Sequence, residues 1–158
     1  MTADGALREA GVLDLPLIAA LHQACFIDSP EAGEVWDKPA ISEILAIPGV
    51  RCLLASCGDQ PAGLVIGRIA SDEMEILSLG VVPSLRRRGI AHRLLTASFD
   101  RAASAGAIKI FLEVAEDNGP ARGTYESAGF QVVGRRPAYY RRAKGAAAAA
   151  LILSRDCG

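Results

Sequence analysis

The sequence predicts a mixed α/β protein built on one central sheet. Residues 50–82 contain three apolar, β-type runs joined by short polar turns, a pattern typical of an antiparallel meander. After this meander, helical and strand patterns alternate through residue 136. A meander followed by a β-α-β-α-β rhythm indicates a sheet that mixes antiparallel and parallel strands.

The chain has the size and composition of a single domain, which we assign to residues 1–158. Its 158 residues lie within the ~100–200 typical of one domain. With 51% hydrophobic and 22% charged residues, the chain is too apolar to be disordered. No apolar run approaches the ~18–20 residues that a membrane helix needs, so we expect no membrane partner.

The first third of the chain predicts one short strand and two helices. Residues 5–11 resemble a strand, and Asp14 is a candidate N-cap for an amphipathic helix that extends to about Phe26. The loop that follows is rich in Pro, Gly and acidic residues and contains Trp36, the only tryptophan. We interpret this loop as a candidate substrate rim. A second short helix is predicted over residues 41–47.

The rest of the chain supplies the sheet and two further helices. The runs of the meander cover residues 50–57, 62–70 and 74–82. The second half predicts, in order, a helix over 91–106, a buried strand over 108–117, a two-turn helix over 121–129 and a strand over 130–136. Residues 143–155 are ambiguous, because a run of alanines favours a helix whereas the apolar segment after it suits a strand.

The charge is distributed unevenly along the chain. The formal net charge is −1, but residues 1–75 carry 4 basic and 12 acidic side chains, whereas residues 76–158 carry 13 and 6. The halves therefore have formal charges of −8 and +7. Because the near-neutral total is a cancellation, it does not exclude an anionic ligand in the second half.

Cysteine and histidine patterns predict neither a metal site nor secretion. The four cysteines include no CxxC pair, and the two histidines have no neighbouring ligands at zinc spacing, so we expect no metal. The first residues lack an apolar targeting segment. We therefore expect a cytoplasmic protein with reduced thiols.

A basic glycine-containing segment, Arg86–Ala91, lies where a predicted strand leads into a helix. At such a junction, backbone N–H groups and the positive end of the helix can bind one anion. Gly89 permits close approach of the backbone, and Arg86, Arg87 and Arg88 add positive charge, so a pyrophosphate would fit. No GxxxxGK[ST] or GxGxxG motif is present. A basic turn that is simply exposed to solvent would show the same residues.

Two longer segments, EILSLGVVPSLRRRGIAHRLL at 75–95 and FLEVAEDNGPARGTYESAGF at 111–130, follow the meander. In this order they resemble the GNAT superfamily of N-acetyltransferases over essentially the whole chain. Within the superfamily they look most like RimI-type bacterial enzymes, which acetylate the N-terminal alanine of a small-subunit ribosomal protein. The resemblance implies an α/β (α+β) GNAT fold with about seven strands, an antiparallel N-terminal part, a splayed parallel pair at the cofactor site and flanking helices. It also favours a final strand within 143–155.

The resemblance implies acetyl-CoA as the co-substrate. In such enzymes, a loop with the pattern Q/R-x-x-G-x-G/A wraps the pyrophosphate, and the strand before it offers backbone groups to the pantetheine and to the thioester carbonyl. The matching asparagine, Asn118, would hydrogen-bond CoA, or serve as a helix N-cap. The implied cofactor residues are Leu79, Gly80, Val81, Arg86, Arg87, Arg88, Gly89, Ile90, Ala91, His92 and Asn118.

The resemblance also implies the catalytic pair. Glu113 and Tyr125 occupy the positions at which RimI-type enzymes carry a general base, acting directly or through water, and a general acid. Taken singly, Glu113 reads as a charge at a strand end and Tyr125 as a packing aromatic.

On the acceptor side, Tyr139 and Tyr140 match a tyrosine pair that holds a peptide N-terminus, and Trp36 is a further candidate. The implied partner is a protein or peptide N-terminus, ribosomal proteins included, which receives acetyl directly in a ternary complex. Two alternatives remain open. One is a GNAT enzyme for a small amine or a lysine side chain. The other is a non-catalytic module that binds CoA, or that contacts RNA or the ribosome through the interleaved Arg and Tyr of 135–142. Under the leading interpretation we expect no direct nucleic-acid binding.

Overall fold

The computed structural model describes residues 6–29, 34–140 and 147–157, and these form a seven-stranded sheet with four α-helices. The strands are β1 (Leu7–Ala10), β2 (Val50–Cys57), β3 (Gln60–Ala70), β4 (Glu73–Val81), β5 (Lys109–Ala115), β6 (Gln131–Tyr140) and β7 (Ala148–Asp156). The helices are α1 (Leu15–Phe26), α2 (Lys38–Leu45), α3 (Ile90–Ser104) and α4 (Gly119–Ser127). None of these helices is long and apolar enough to span a membrane.

The strand order is β1-β2-β3-β4-β5-β7-β6, which confirms the predicted mixed sheet with an antiparallel N-terminal part. Within the described residues, β4 and β5 form the single parallel pair, and α3 makes the crossover between them. The ambiguous segment 143–155 contains β7, so its strand interpretation is confirmed from Ala148 onward. Residues 143–146 lie outside the described part of the chain.

Two element boundaries differ from the predicted ones by three residues or more, both for local reasons. Helix α2 begins at Lys38, three residues earlier than predicted, because the Asp37 carboxylate accepts the backbone N–H of Ala40 at 3.0 Å and caps it. Strand β6 continues past Pro137 to Tyr140. A proline is tolerated there because β6 is an edge strand and its pairing with β7 is irregular between Arg136 and Tyr140.

Helices α1 and α3 pack on opposite faces of β3 and β4, and two glycines allow the close contact. A Cβ on Gly80 would lie 2.7 Å from Phe26 Cζ and 2.8 Å from Cys25 Cβ of α1. A Cβ on Gly63 would instead lie 3.3 Å from Leu94 Cδ1 of α3. The face of the sheet that carries Gly80 is called the α1 face below. Side chains from both faces form one continuous apolar core.

The sheet opens between β4 and β5 directly after a β-bulge. Opposite β3, Ile66 pairs with Ser78 and Gly67 pairs with Ile76, so Leu77 is the extra, unopposed residue of β4. The parallel pairing of β4 with β5 ends at Ile76 and Leu112. Because a bulge bends its strand and increases the twist, it turns the end of β4 away from β5. This geometry confirms the splayed parallel pair.

Arg155 of β7 joins the last strand to the α3 and α4 layer. Its guanidinium lies 4.2 Å from the centroid of the Phe99 ring and donates to the Ala128 carbonyl at 2.6 Å. Stacking and a charged hydrogen bond each stabilise a partly buried arginine. The side chain therefore acts as a clamp between three elements.

We expect Arg155→Ala to lower the free energy of unfolding by about 1–3 kcal/mol, because it removes the stack and leaves a carbonyl without its donor. Urea denaturation measures this change. The control is Arg51→Ala, at an exposed arginine of β2, which should change stability by no more than about 0.5 kcal/mol. If both variants lost the same free energy of unfolding, Arg155 would not stabilise the contact between β7 and the two helices.

Candidate functional site

A cavity of about 690 Å³ lies where β4 turns away from β5. Its walls come from the end of α1, the end of β4, the loop before α3, the start of α3, and α4. Almost all of the predicted cofactor residues line it: Leu79, Gly80, Val81, Arg86, Arg87, Gly89, Ile90, Ala91, His92 and Asn118. Arg88 is exposed and is not among the residues that line it.

The loop before α3 turns its backbone toward this cavity through two left-handed residues. Arg87 has φ +64° and Gly89 has φ +80°, and α3 begins at Ile90. The first backbone N–H groups of a helix have no acceptor within the helix, and the helix dipole favours negative charge there. A Cβ on Gly89 would meet no atom within 4 Å, so it is the left-handed φ that favours glycine here. The arrangement can bind a phosphate-type anion.

Arg86 has an internal role that the sequence pattern does not reveal. Its Nε donates to the Val81 carbonyl at 3.1 Å, and its Nη2 donates to the Cys25 carbonyl at 2.9 Å. The guanidinium thereby joins the end of β4 to the last turn of α1. The side chain of Arg86 supports one wall of the cavity.

Tyr125 of α4 is 8% exposed and lies in the wall of the same cavity. Its ring packs edge-on against Phe130, with the centroids 5.8 Å apart. Burial, together with the nearby Tyr140, raises the pKa of Tyr125 well above its ordinary value. The phenol is therefore protonated at neutral pH. Asn118 fixes the start of α4, because its side chain accepts the backbone N–H of Ala121 at 3.3 Å.

Glu113 does not line the cavity that contains Tyr125. It follows Leu112, the last residue of β5 that pairs with β4, and projects from the α1 face. There Glu113 Oε1 lies 3.3 Å from Arg136 Nη2, at a smaller cavity of about 300 Å³ that also includes Arg68 and Glu75. The structure thus places the two predicted catalytic side chains at different cavities, on either side of the opening in the sheet.

The predicted acceptor residues lie outside the larger cavity. Tyr139 and Tyr140 pack edge to face at 5.2 Å, and the Arg136 guanidinium lies 5.4 Å from the Tyr139 ring centroid. Tyr140 is near enough to Tyr125 to raise its pKa. The half-buried Trp36 stacks on His22 of α1, with centroids 4.9 Å apart.

His22 is a residue that the sequence analysis assigned no role. It is 1% exposed, its Nδ1 accepts the Trp36 backbone N–H at 3.1 Å, and its Nε2 lies 3.2 Å from Ser78 Oγ. Burial lowers the pKa of His22 to about 4. In the sequence, His22 is recognisable only as a polar residue on the apolar face of a predicted helix. That position does not identify its hydrogen-bond partners.

The sequence matches the acetyltransferase (GNAT) family model over residues 16–130. It is 36% identical over 152 residues to the N-alpha-acetyltransferase RimI of Mycobacterium tuberculosis, covering 89% of each chain. It is also 32% identical over 93 residues to a ribosomal protein bS18 alanine N-acetyltransferase of Salmonella typhimurium, covering 59% of this chain and 63% of that protein.

Solved structures share the fold. The crystal structure of the ribosomal-protein-S18-alanine N-acetyltransferase from Escherichia coli superposes with a TM-score of 0.86 at 21% identity, covering 98% of this chain and 94% of that one. The Arabidopsis thaliana NAA60 structure in complex with acetyl-CoA gives a TM-score of 0.81 at 17% identity, covering 96% and 98%. The predicted GNAT-type fold is therefore confirmed.

We expect Arg86→Ala to lower the free energy of unfolding of the ligand-free protein by about 1–3 kcal/mol, because two backbone carbonyls lose a charged donor. The neighbouring Arg87→Ala, at an exposed side chain, is the matched control and should change stability by less than about 0.5 kcal/mol. Thermal and urea unfolding measure both. If Arg87→Ala lost more stability than Arg86→Ala, then Arg87, and not Arg86, would be the residue that supports the cavity wall.

The lowered pKa of His22 makes stability depend on pH. The unfolded chain takes up a proton near the ordinary pKa of 6.5, whereas folded His22 does so only near pH 4. Stability therefore falls as the pH decreases between these values. Between pH 7 and pH 4, the wild type should lose up to about 3 kcal/mol more than His22→Gln, as measured by urea denaturation. Parallel pH profiles for the two proteins would refute this assignment.

Proposed function

This chain belongs to the acetyltransferase (GNAT) family, and we propose that it acetylates the N-terminal α-amine of a protein, with acetyl-CoA as the donor. The observation that carries the proposal is the opening between β4 and β5, with a basic cavity on one side and Glu113 on the other. The acceptor class is supported by the 36% identity to a protein named as an N-alpha-acetyltransferase.

The larger cavity has the chemistry that CoA requires. The backbone N–H groups at the start of α3, the positive charge of Arg87 and the ring of His92 would hold the pyrophosphate. Leu79–Val81 would hold the pantetheine arm, because this part of β4 lies beyond its pairing with β5. When bound, acetyl-CoA supplies the acetyl group as a thioester.

Two groups in this cavity would act on the acetyl transfer. Backbone N–H groups of Leu79–Val81 are candidates to stabilise the negative charge that develops on the carbonyl oxygen. Such donors are typically worth about 3 kcal/mol each. Tyr125 holds a proton at its phenol oxygen, and we assign it the donation of this proton to the departing sulfur.

Glu113 is the candidate base for the acceptor amine, directly or through a water molecule. It lies at the smaller cavity, where Arg136 holds one of its carboxylate oxygens at 3.3 Å. The incoming amine would approach Glu113 from the α1 face and reach the acetyl group through the opening in the sheet. This arrangement supports direct transfer in a ternary complex.

A carboxylate base favours an α-amine as the acceptor. The amine must be neutral to attack, and an α-amino group with a pKa near ~8 is partly neutral at neutral pH, whereas lysine near ~10.4 is almost wholly charged. A single carboxylate is a sufficient base for the former. The tyrosine pair Tyr139–Tyr140 lies on the strand that carries Arg136 and is proposed as the wall that holds the peptide.

The test is acetyl transfer to matched peptides. One set begins with Ala, Ser or Gly and contains no lysine, and a second set has a blocked N-terminus and one internal lysine. Mass spectrometry should find the acetyl group on the N-terminus of the first set. Transfer only to lysine, or only to small amines in a CoA-release assay, would reject the proposed acceptor but keep the enzyme class. Binding of acetyl-CoA without any transfer would favour the non-catalytic alternative.

We expect Tyr125→Phe to lower turnover by roughly 10²–10⁴-fold, because the variant loses the proton donor. The ring packing against Phe130 is preserved, so the melting temperature and the affinity for acetyl-CoA should change little. Steady-state kinetics and calorimetric titration measure the two effects. An equal loss of turnover and acetyl-CoA affinity would show that Tyr125 maintains the shape of the cavity and is not the proton donor.

A further inference from the structure

A partly buried polar cluster on the α1 face lies outside both cavities. It consists of His22 of α1, Ser78 of β4 and Trp36, which precedes α2. His22 is 1% exposed and contacts the Phe26 ring at a centroid distance of 4.5 Å. Burying a polar side chain is unfavourable unless it is hydrogen-bonded, and both nitrogens of this imidazole have partners.

The hydrogen bonds determine where the His22 proton lies. Nδ1 accepts the backbone N–H of Trp36 at 3.1 Å, so it carries no hydrogen of its own. The proton of the neutral ring is then on Nε2, which donates to Ser78 Oγ at 3.2 Å. The ring also stacks on the Trp36 indole, at an interplanar angle of 12°. The two hydrogen bonds and the stacking on Trp36 together fix the orientation of the imidazole.

This cluster joins the residues before α2 to the end of β4. Ser78 directly follows Leu77, the bulge residue, and directly precedes Leu79–Val81, which line the larger cavity. Trp36 lies in the segment before α2, residues 34–37, and Asp37, which follows it, caps α2. A shift of Trp36 relative to Ser78 would therefore move this segment relative to the end of β4.

We propose that His22 is a positioning residue, which holds Trp36 and the segment before α2 in register with the end of β4, so that an acceptor bound there meets the acetyl group. This inference rests on the proposed function, since it assumes that the segment contacts the acceptor. It predicts that His22 affects the acceptor KM more than the binding of acetyl-CoA.

Two substitutions separate the hydrogen bonds of His22. In His22→Asn, the amide oxygen can replace Nδ1 and accept the Trp36 N–H, whereas in His22→Gln the longer amide can replace Nε2 and reach Ser78. Ser78→Ala removes only the anchor on β4 and leaves the contact between His22 and Trp36. These three variants also guard against the case in which one of them fails to fold.

Trp36 is the only tryptophan, so its fluorescence reports on this cluster alone. In His22→Gln, we expect acrylamide quenching of Trp36 to increase and its emission to shift to the red. The acceptor KM should rise by on the order of tenfold, the effect of losing one buried hydrogen bond that holds a binding segment. The Kd for acetyl-CoA should stay within about twofold, because the cofactor cavity is intact. His22→Asn should keep quenching close to that of the wild type and show a smaller rise in KM.

Three results would overturn the proposal. Unchanged quenching in His22→Gln would show that His22 does not hold Trp36. Increased quenching with an unchanged KM would show that the segment does not position the acceptor. Equal losses of acceptor and acetyl-CoA affinity in all three variants would indicate a general structural role. If the wild type acetylates a small amine and no peptide, the KM for that amine is compared instead, and only the proposed acceptor class is rejected.

Discussion

The bulge at Leu77 is the constraint on which the rest of the site depends. It bends β4 away from β5 after their paired residues Ile76 and Leu112, and a sheet that would otherwise be continuous opens. The cavity proposed to bind acetyl-CoA lies in this opening. Glu113 is the first residue of β5 beyond the paired stretch, which places it at the edge of the same opening. One extra residue in one strand therefore positions both halves of the proposed reaction.

An open sheet needs support, because the end of β4 no longer has β5 beside it. Helix α1 supplies this support at three places. His22 forms a hydrogen bond with Ser78. Cys25 and Phe26 pack directly over Gly80, and the Cys25 carbonyl accepts a hydrogen bond from Arg86. The Arg86 guanidinium also holds the Val81 carbonyl. The strand end stays paired with β3 on one edge. On the side where β5 would lie, a helix and a loop support it instead of a strand, which keeps that edge of its backbone available to a ligand.

The structure shows where the basic and acidic residues of the two halves of the chain lie. The basic second half includes the loop at the start of α3, but of its three consecutive arginines only Arg86 and Arg87 line the cavity, and Arg86 bonds to backbone carbonyls. Much of the attraction for an anion must then come from backbone N–H groups and the helix dipole. On the α1 face, Glu113 and Glu75 lie near Arg136 and Arg68, so both signs of charge meet where the acceptor is proposed to bind.

The sequence by itself determined the features that depend on neighbours along the chain. These are the meander, the amphipathic helices, the glycine-containing loop before α3 and the Asn118 cap of α4, because apolar periodicity, turn residues and caps act over a few positions. The resemblance carried by residues 75–95 and 111–130 added the splayed pair. Only the tertiary structure decided that Leu77 forms the bulge, that Arg86 bonds the Val81 and Cys25 carbonyls, that His22 joins Trp36 to β4, and that Glu113 and Tyr125 line different cavities. Each of these depends on contacts between residues far apart in sequence, whose partners no local pattern specifies.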